Sequence, residues 1–289
     1  MKEAFISDTE NHRIKIYTIQ GTMLRMWGAY GTSNGSFKYP QGIWVRGKEV
    51  FVCDSQNHRI QVFDLEGQFV RKWGSYGTGP GQFNIPYYIR VSKEKVFVTE
   101  LHNNRVQVFD LEGNHILMWG SQGSDPGQFF YPAGIDVYGS KVFVADNLNN
   151  RCQVFDLDGT YDRQWGTFGS GPGEFKWPYG IRIWRNEAYV LETSGRRVQV
   201  FDLEGNYKRM WGSSGSGNGQ FNFPSDLALN ANEVFVADSA NNRIQVFSLD
   251  GQFIRKWGTF GYGYEYLNKP NGIFIPTGKI QYLPIVGMG

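Results

Sequence analysis

One segment of this chain, Asn57-His-Arg-Ile-Gln-Val-Phe-Asp-Leu-Glu-Gly67, returns six times at a fixed step. The copies begin at Asn11, Asn57, Asn103, Asn149, Gly195 and Asn241, each 46 residues after the one before. The same step carries Trp27 through Trp73, Trp119, Trp165 and Trp211 to Trp257. It also carries Pro40 through Pro86, Pro132, Pro178 and Pro224 to Pro270, without an insertion or a deletion. A period of this length filled with strand-like segments is the mark of a propeller or a related array. Six periods run from Ala4 to Lys279. The expectation is therefore one domain over residues 1–279, with 280–289 as a tail or the start of a linker.

The second repeat shows what one unit contains. Gln41–Arg46 alternates and stops at Gly47, Glu49–Asp54 is rich in β-branched and aromatic residues, and Arg59–Asp64 follows a polar loop. Leu65-Glu-Gly67 then turns the chain into Gln68–Gly74. Four short antiparallel strands per unit is the content of a propeller blade. Such a sheet is apolar on both faces and must pack face to face against its neighbours. The expected fold class is thus all-β, a six-bladed β-propeller with four antiparallel strands per blade. The N-terminus enters at the second strand, since Ala4–Asp8 matches Val50–Asp54, and the missing first strand stands at the other end as Asn271–Ile275. One blade should therefore be closed by N- and C-terminal strands together. Lys279–Tyr282 would be a further second strand by register, and a closed ring leaves no room for it.

Composition narrows the function classes. A net charge of +2 is too small for a nucleic-acid binder that works through bulk charge. Cys53 and Cys152 occupy different repeat positions two blades apart, which suits two buried free thiols and a reducing, cytoplasmic setting. No apolar run approaches the ~18 residues of a membrane span, so no membrane partner is expected. Nothing near Met1 has the shape of a signal peptide.

Pro40-Gln-Gly-Ile43, Val50-Phe-Val-Cys-Asp54 and Asn57-His-Arg-Ile-Gln-Val-Phe63, with the loop Gly79-Pro-Gly-Gln-Phe83 and its copies at 125–129 and 171–175, resemble the NHL repeat over the whole chain. That resemblance implies a six-bladed propeller. It leaves function open, because the family includes RNA-binding domains, protein-binding modules, bacterial sensor domains and a zinc-dependent peptidyl-hydroxyglycine lyase.

What every copy shares is read as scaffold. An acid ends each second strand and an arginine begins each third: Asp8/Arg13, Asp54/Arg59, Glu100/Arg105, Asp146/Arg151, Glu192/Arg197 and Asp238/Arg243. A structural clasp across that hairpin is expected, with arginine able to bond a carboxylate through two parallel N–H groups. Arg71, whose equivalent is Leu117 in the next repeat, is expected to be a surface residue without a fixed partner.

Function is sought where the copies differ. After the repeated proline most blades read x-Gly-Ile, but the third reads Tyr87-Tyr88-Ile89 and the sixth Ser225-Asp226-Leu227. Lys38, Tyr39, Arg90, Asp136, Lys176, Trp177, Tyr179 and Arg182 stand near these positions. Two readings compete for them: plugs between blades, or an aromatic and basic ligand-binding platform at the channel mouth, on the face of the second-to-third strand loops and the loops between blades. Catalytic and metal readings are weaker. His12 and His58 sit at equivalent positions of neighbouring blades, too far apart to share a zinc ion, and no histidine lies on a first strand. No nucleophile has a defensible partner, and no catalytic residue, metal or cofactor is assigned. The expected function is a non-enzymatic, monomeric binding module for a protein or peptide, with single-stranded RNA as the alternative and a channel-centred lyase or hydrolase third.

Overall fold

The computed structural model describes residues 2–276, so the expectations for 277–289, including the tail and the extra strand register at Lys279–Tyr282, lie outside the described residues. The chain forms six four-stranded antiparallel sheets arranged as the blades of a propeller. Blade 2 is the type: Pro40–Arg46, Glu49–Asp54, Arg59–Asp64 and Phe69–Trp73, running from the central channel outwards. Blades 3 to 6 repeat it, with first strands Pro86–Ser92, Pro132–Tyr138, Pro178–Trp184 and Asp226–Leu229. Blade 1 takes three strands from the N-terminus, Glu3–Asp8, Arg13–Thr18 and Met23–Trp27, and its innermost strand, Pro270–Phe274, from the other end. Phe5 pairs with Phe274 and Ile6 with Ile273, so the ring is closed as expected.

Each interblade core follows from the period-two pattern. In the third strand of blade 2, Ile60 and Val62 face one neighbour, while Phe63 joins Phe5, Phe37 and Val45 against the other. The repeated tryptophans seal the outer edge. Trp27 packs on the next blade at Gly67, where φ is +90° and an added Cβ would lie 2.5 Å from the indole. Glycine is needed there for both its backbone and its missing side chain. Nearer the axis the first strands almost touch: a Cβ on Gly134 would lie 2.4 Å from the Tyr179 carbonyl oxygen. That contact explains the x-Gly-Ile pattern.

The loop between blades, the Gly-Pro-Gly-Gln-Phe stretch, folds back on itself. Phe83 is fully buried, its N–H donates to Ser75 O at 2.7 Å, and Gln82 Oε1 accepts from Gly79 N at 3.0 Å. No helix among the described residues is long and apolar enough to cross a membrane. Cys53 and Cys152 are free and buried, and burial pushes both thiols well up.

Candidate functional site

The acid–arginine pairs form in all six blades, with Nε to carboxylate distances of 2.5–2.8 Å. The expected fork, two parallel N–H groups on one carboxylate, does not form, and the arginines are buried in place of lying across an open hairpin. Only Nε of Arg59 donates to Asp54, while Nη1 donates to Thr32 O and Nη2 to Ser33 O and Ser36 O. The same correction holds at the other copies. Arg105 gives Nε to Glu100, Nη1 to Thr78 O and Met118 Sδ, and Nη2 to Gly79 O and Gln82 O. Arg151 gives Nε to Asp146, Nη1 to Ser124 O at 2.7 Å, and Nη2 to Asp125 O and Gln128 O, both at 2.9 Å. Arg197 gives Nε to Glu192, Nη1 to Ser170 O, and Nη2 to Gly171 O and Glu174 O. Arg243 gives Nε to Asp238, Nη1 to Ser216 O, and Nη2 to Gly217 O and Gln220 O. Arg13 gives Nε to Asp8 and Nη2 to Gly263 O at 2.8 Å. The physical reason is that each interblade loop turns several carbonyls inwards, and a guanidinium has five donors to share among them. The arginine therefore pins the preceding interblade loop to the hairpin.

Gln61, a residue not singled out in the sequence, completes the node: Nε2 donates to Asp54 and Ser36 O, and Oε1 accepts from Gly35 N. Its recurrence at Gln107, Gln153, Gln199 and Gln245 was the available signal. Blade 1 has Lys15 there instead, fully buried, donating to Gly263 O and Tyr264 O at 3.3 and 2.7 Å and also to Tyr266 O. Burial pulls its pKa down to about 8.

Arg71 is not free. It pairs with Glu49 and donates to Leu111 O at 2.9 and 2.6 Å, tying its blade to the next one outside the tryptophan. Arg209 and Arg255 do the same with Glu187 and Glu233. In blade 3 the acid and the arginine are replaced by Lys95 and Leu117, which hid the pattern.

The channel holds the main correction. Tyr87 and Tyr88 are not an open stacking platform, because both are buried. Tyr88 occupies a glycine position, so its side chain has nowhere to go but the axis. It crosses to blade 6, directly opposite in a ring of six, and donates to the Ser225 carbonyl. Tyr87 is hydrogen-bonded to Tyr179 across the same space and accepts from Asn271 Nδ2 at 3.2 Å. The three rings contact one another at centroid distances of 5.6–6.2 Å. They plug the channel where the first strands begin, and burial raises all three phenol pKa values.

Arg90, Asp136 and Arg182 lie beneath that plug instead of at the mouth, and Asp226, level with Tyr88, is buried beside it. Asp136 accepts from Val137 N and from Ile183 N of the next blade, both within 2.8 Å. Asp226 likewise accepts from Leu227 N at 2.8 Å and Ile273 N at 3.0 Å, and pairs with Arg182 at 3.1 Å. Neighbouring first strands do not pair, so these carboxylates satisfy N–H groups that would otherwise be stranded. Burial pushes the Asp226 carboxyl up to about 6 and the Arg90 guanidinium down to about 10. Arg90 lies flat near Trp44, with its central carbon 3.7 Å from the ring centroid.

Lys38, Tyr39, Lys176 and Trp177 remain on the face expected for them. Lys38 N donates to Asp54 at 2.8 Å, which places the interblade loop beside the second-to-third strand hairpin. Lys38 and Lys176 are half-buried there, as is Tyr39. The histidines serve this same backbone. His12 Nδ1 accepts from Tyr39 N at 3.2 Å and His58 Nδ1 from Ile85 N, a task done by Asn104, Asn150 and Asn242 in other blades. No cluster of three metal-ligating side chains occurs among the described residues.

The feature sequence reading missed is a girdle on this loop face. One repeat position carries Tyr30, Tyr76, Phe168 and Phe260, each 58–70% exposed. Trp177 and Phe223 add 42% and 45% exposed rings one step inwards, and Tyr262, Tyr264 and Tyr266 extend the patch at the seam between blades 6 and 1. Lys38 Nζ stands 5.6 Å from the Tyr30 ring and Arg196 5.0 Å from Phe223.

Residues 132–178 and 176–257 match a family model described as a 6-bladed beta-propeller, and 37–63 match the NHL repeat. No curated protein matches by sequence. Among solved structures, a chain of the Nidogen/Laminin complex superimposes with a TM-score of 0.72 at 13% identity, covering 95% of this chain and 98% of that one. A functionally unknown protein from Desulfotomaculum acetoxidans DSM 771 gives 0.64 at 14% identity, covering 95% and 99%. At such identities the likeness is one of fold.

Proposed function

Because this chain is an NHL-repeat six-bladed β-propeller, we propose that it is a binding module taking a protein or peptide partner on its loop face. The observation that carries this reading is the girdle of exposed rings at Tyr30, Tyr76, Phe168 and Phe260. Aromatic side chains are enriched in interface cores and dominate binding hot spots, and contiguous exposed apolar patches mark interaction surfaces. The repeat positions of these rings hold Gln122 and Ser214 in the other two blades, so the fold does not require an aromatic there. The similar fold in a chain of the Nidogen/Laminin complex supports the same class of partner. Single-stranded RNA is the second reading, favoured by the cations held against Tyr30 and Phe223.

The test uses substitutions the repeat itself supplies. Tyr76→Gln and Phe168→Ser together should leave the melting temperature unchanged and weaken peptides selected from a display library at least tenfold. A parallel RNA selection separates the readings, because phosphate contacts make affinity fall steeply with salt. Salt-sensitive RNA binding with no peptide enriched would replace the protein reading. Loss of peptide binding only on charge reversal at Glu66 and Glu112 would move the working surface to the opposite face.

A further inference from the structure

Among the described residues, the plug closes the channel at one end only. Beyond it lies a cavity of ≈ 210 Å³, lined among others by Trp44, Arg90, Asp136, Arg182, Trp184 and Phe274. It lies towards the ends of the first strands, where Tyr138 is 39% exposed. This is the face of the tight turns, opposite the aromatic girdle. Its wall is divided. Blades 3 to 5 contribute Arg90, Asp136 and Arg182, and blades 1 and 2 contribute Phe274 and Trp44, whose rings meet edge to face at 4.2 Å.

The charges in this wall are not equally satisfied. Asp136, the one carboxylate of the lining, is spent on two backbone N–H groups, and Arg182 is paired with Asp226. Arg90 is not matched in the same way. Its Nε lies 2.7 Å from Asp136 Oδ1, but the N–H is not aimed at that oxygen and has no acceptor among the described residues. Its one hydrogen bond among the described residues is a long one, 3.5 Å from Nη2 to Val137 O. Trp184 Nε1, on another lining residue, is also buried without an acceptor among the described residues. A guanidinium is an obligate donor of five N–H groups, and buried donors left without acceptors are costly. The cavity thus presents an unmet donor beside the rings of Trp44 and Phe274, with aliphatic lining from Ile183, Leu229 and Ile275.

We infer that this cavity is a binding site for a small free aromatic carboxylate, entered from the turn face. The carboxylate would take the unspent N–H groups of Arg90, and the ring would lie against Trp44 and Phe274. The volume is below the ~300–1,000 Å³ of sites for drug-sized ligands, which limits the occupant to about one ring. Charge-assisted hydrogen bonds to a planar guanidinium favour a carboxylate over a neutral acceptor. Nothing in this inference depends on the loop-face reading, since the two surfaces are at opposite ends of the blades.

The probe is phenylacetate, titrated into the whole protein and followed by NMR at the Trp44 and Trp184 indoles. Phenylacetamide and acetate serve as the uncharged and ringless controls. Saturable binding is expected, with both controls at least tenfold weaker. Arg90→Ala should weaken phenylacetate at least tenfold. Alanine stands at the equivalent position in blade 6, Ala228, so the fold should tolerate it. Ala228→Phe places a ring in the cavity while leaving Arg90 intact, and should abolish binding even if the first variant is unstable. Absence of saturable shifts, equal binding of acetate, or wild-type affinity in Ala228→Phe would overturn the inference. So would binding of a Gly-Gly-Phe peptide with none of phenylacetate, which would make the site one for chain ends instead of free acids.

Discussion

The clasp nodes and the channel wall obey opposite rules. At every second-to-third strand hairpin, an acid and an arginine repeat with nearly the same distances six times over. At the axis the same ring position holds Trp44, Arg90, Asp136, Arg182, Ala228 and Phe274, with no residue used in all. The difference is geometric. Clasps sit between blades, where each copy has its own volume and the same problem: an interblade loop whose carbonyls need donors. Near the axis six equivalent side chains compete for one space. Glycine fills four of the six positions level with Tyr88, and the exceptions, Tyr88 and Asp226, lie in blades three apart. Those blades face each other, and Tyr88 reaches the residue beside Asp226. A closed ring thus makes its shell regular and its centre irregular, and specific chemistry is concentrated at the centre and in the rims of the loops.

The largest effect should come from breaking the shell as a ring. Removing Pro270 to Gly289 takes away the inner strand of blade 1, which pairs with Glu3–Asp8 and packs against Ala4, Ile6 and Ala228. An unpaired edge and an uncovered blade face appear together. The cooperative thermal transition of the full chain should be lost or moved down by tens of degrees. A truncated protein melting like the full chain would show that closure contributes little, and that each blade stands on its neighbours alone.

A smaller effect separates the two kinds of arginine in the shell. Arg105→Ala leaves Glu100, which is fully buried, without its counter-charge and frees the Thr78 and Gly79 carbonyls of one loop. Breaking a buried pair from one side costs roughly 3–5 kcal/mol. Arg71→Ala removes a partly exposed pair with Glu49 and two bonds to Leu111 O, and about 1–2 kcal/mol is expected. Urea melts of both variants check the order. Equal losses would mean that the outer tie between blades matters as much as the inner node.

These two arginines also show how far the sequence could be read. The clasp is legible because it survives in every copy, so that position alone identifies the partners. Its fork geometry was not legible, because the loop carbonyls that take the Nη donors of Arg151, Arg197 and Arg243 lie 23 to 27 residues back and repeat no side-chain signal. The Glu49–Arg71 tie is obscured by Lys95 and Leu117 in one blade, and a strict rule of invariance discards it. The blades, their strand order and the closure at Asn271–Ile275 follow from periodicity, which needs no side-chain detail. The channel resisted for a different reason. Tyr87, Tyr88 and Asp226 stand out in the sequence as departures from the repeat, but exposure depends on what lies across the axis. Counting blades gives that opposition, since 3 and 6 are half a ring apart. The length of a tyrosine and the lack of space beside Gly134 and Gly42 then make a plug the only solution. The aromatic girdle was missed because Gln122 and Ser214 interrupt it and because loop residues carry no strand pattern to show which way they point.

The finest comparison lies within the shell, between the node at Lys15 and the five nodes with glutamine. Lys15 is fully buried beside Asp8 at 3.7 Å and donates to carbonyls of the seam loop, which is the one interblade loop that has Tyr266-Leu267 where the others carry a phenylalanine. Burial lowers its pKa to about 8 from an ordinary 10.5, although Asp8 pulls the other way. Below pH 8 the lysine is protonated in both folded and unfolded chains, and the folded state carries the full cost of a buried ammonium. Between about 8 and 10.5 the unfolded chain holds the proton while the folded one releases it. The unfolded state then binds more protons, so this residue makes stability rise with pH across that window. Lys15→Gln installs the residue of the other nodes and removes the titration. The variant should gain most over the parent at pH 7 and least at pH 10, with roughly 2–3 kcal/mol between the two from the lowered pKa. Urea melts of both proteins at the two pH values measure the gap. A gap that stays constant would mean that Lys15 keeps its proton throughout, held by the seam carbonyls and Asp8, and that the seam is as insensitive to pH as the other five junctions.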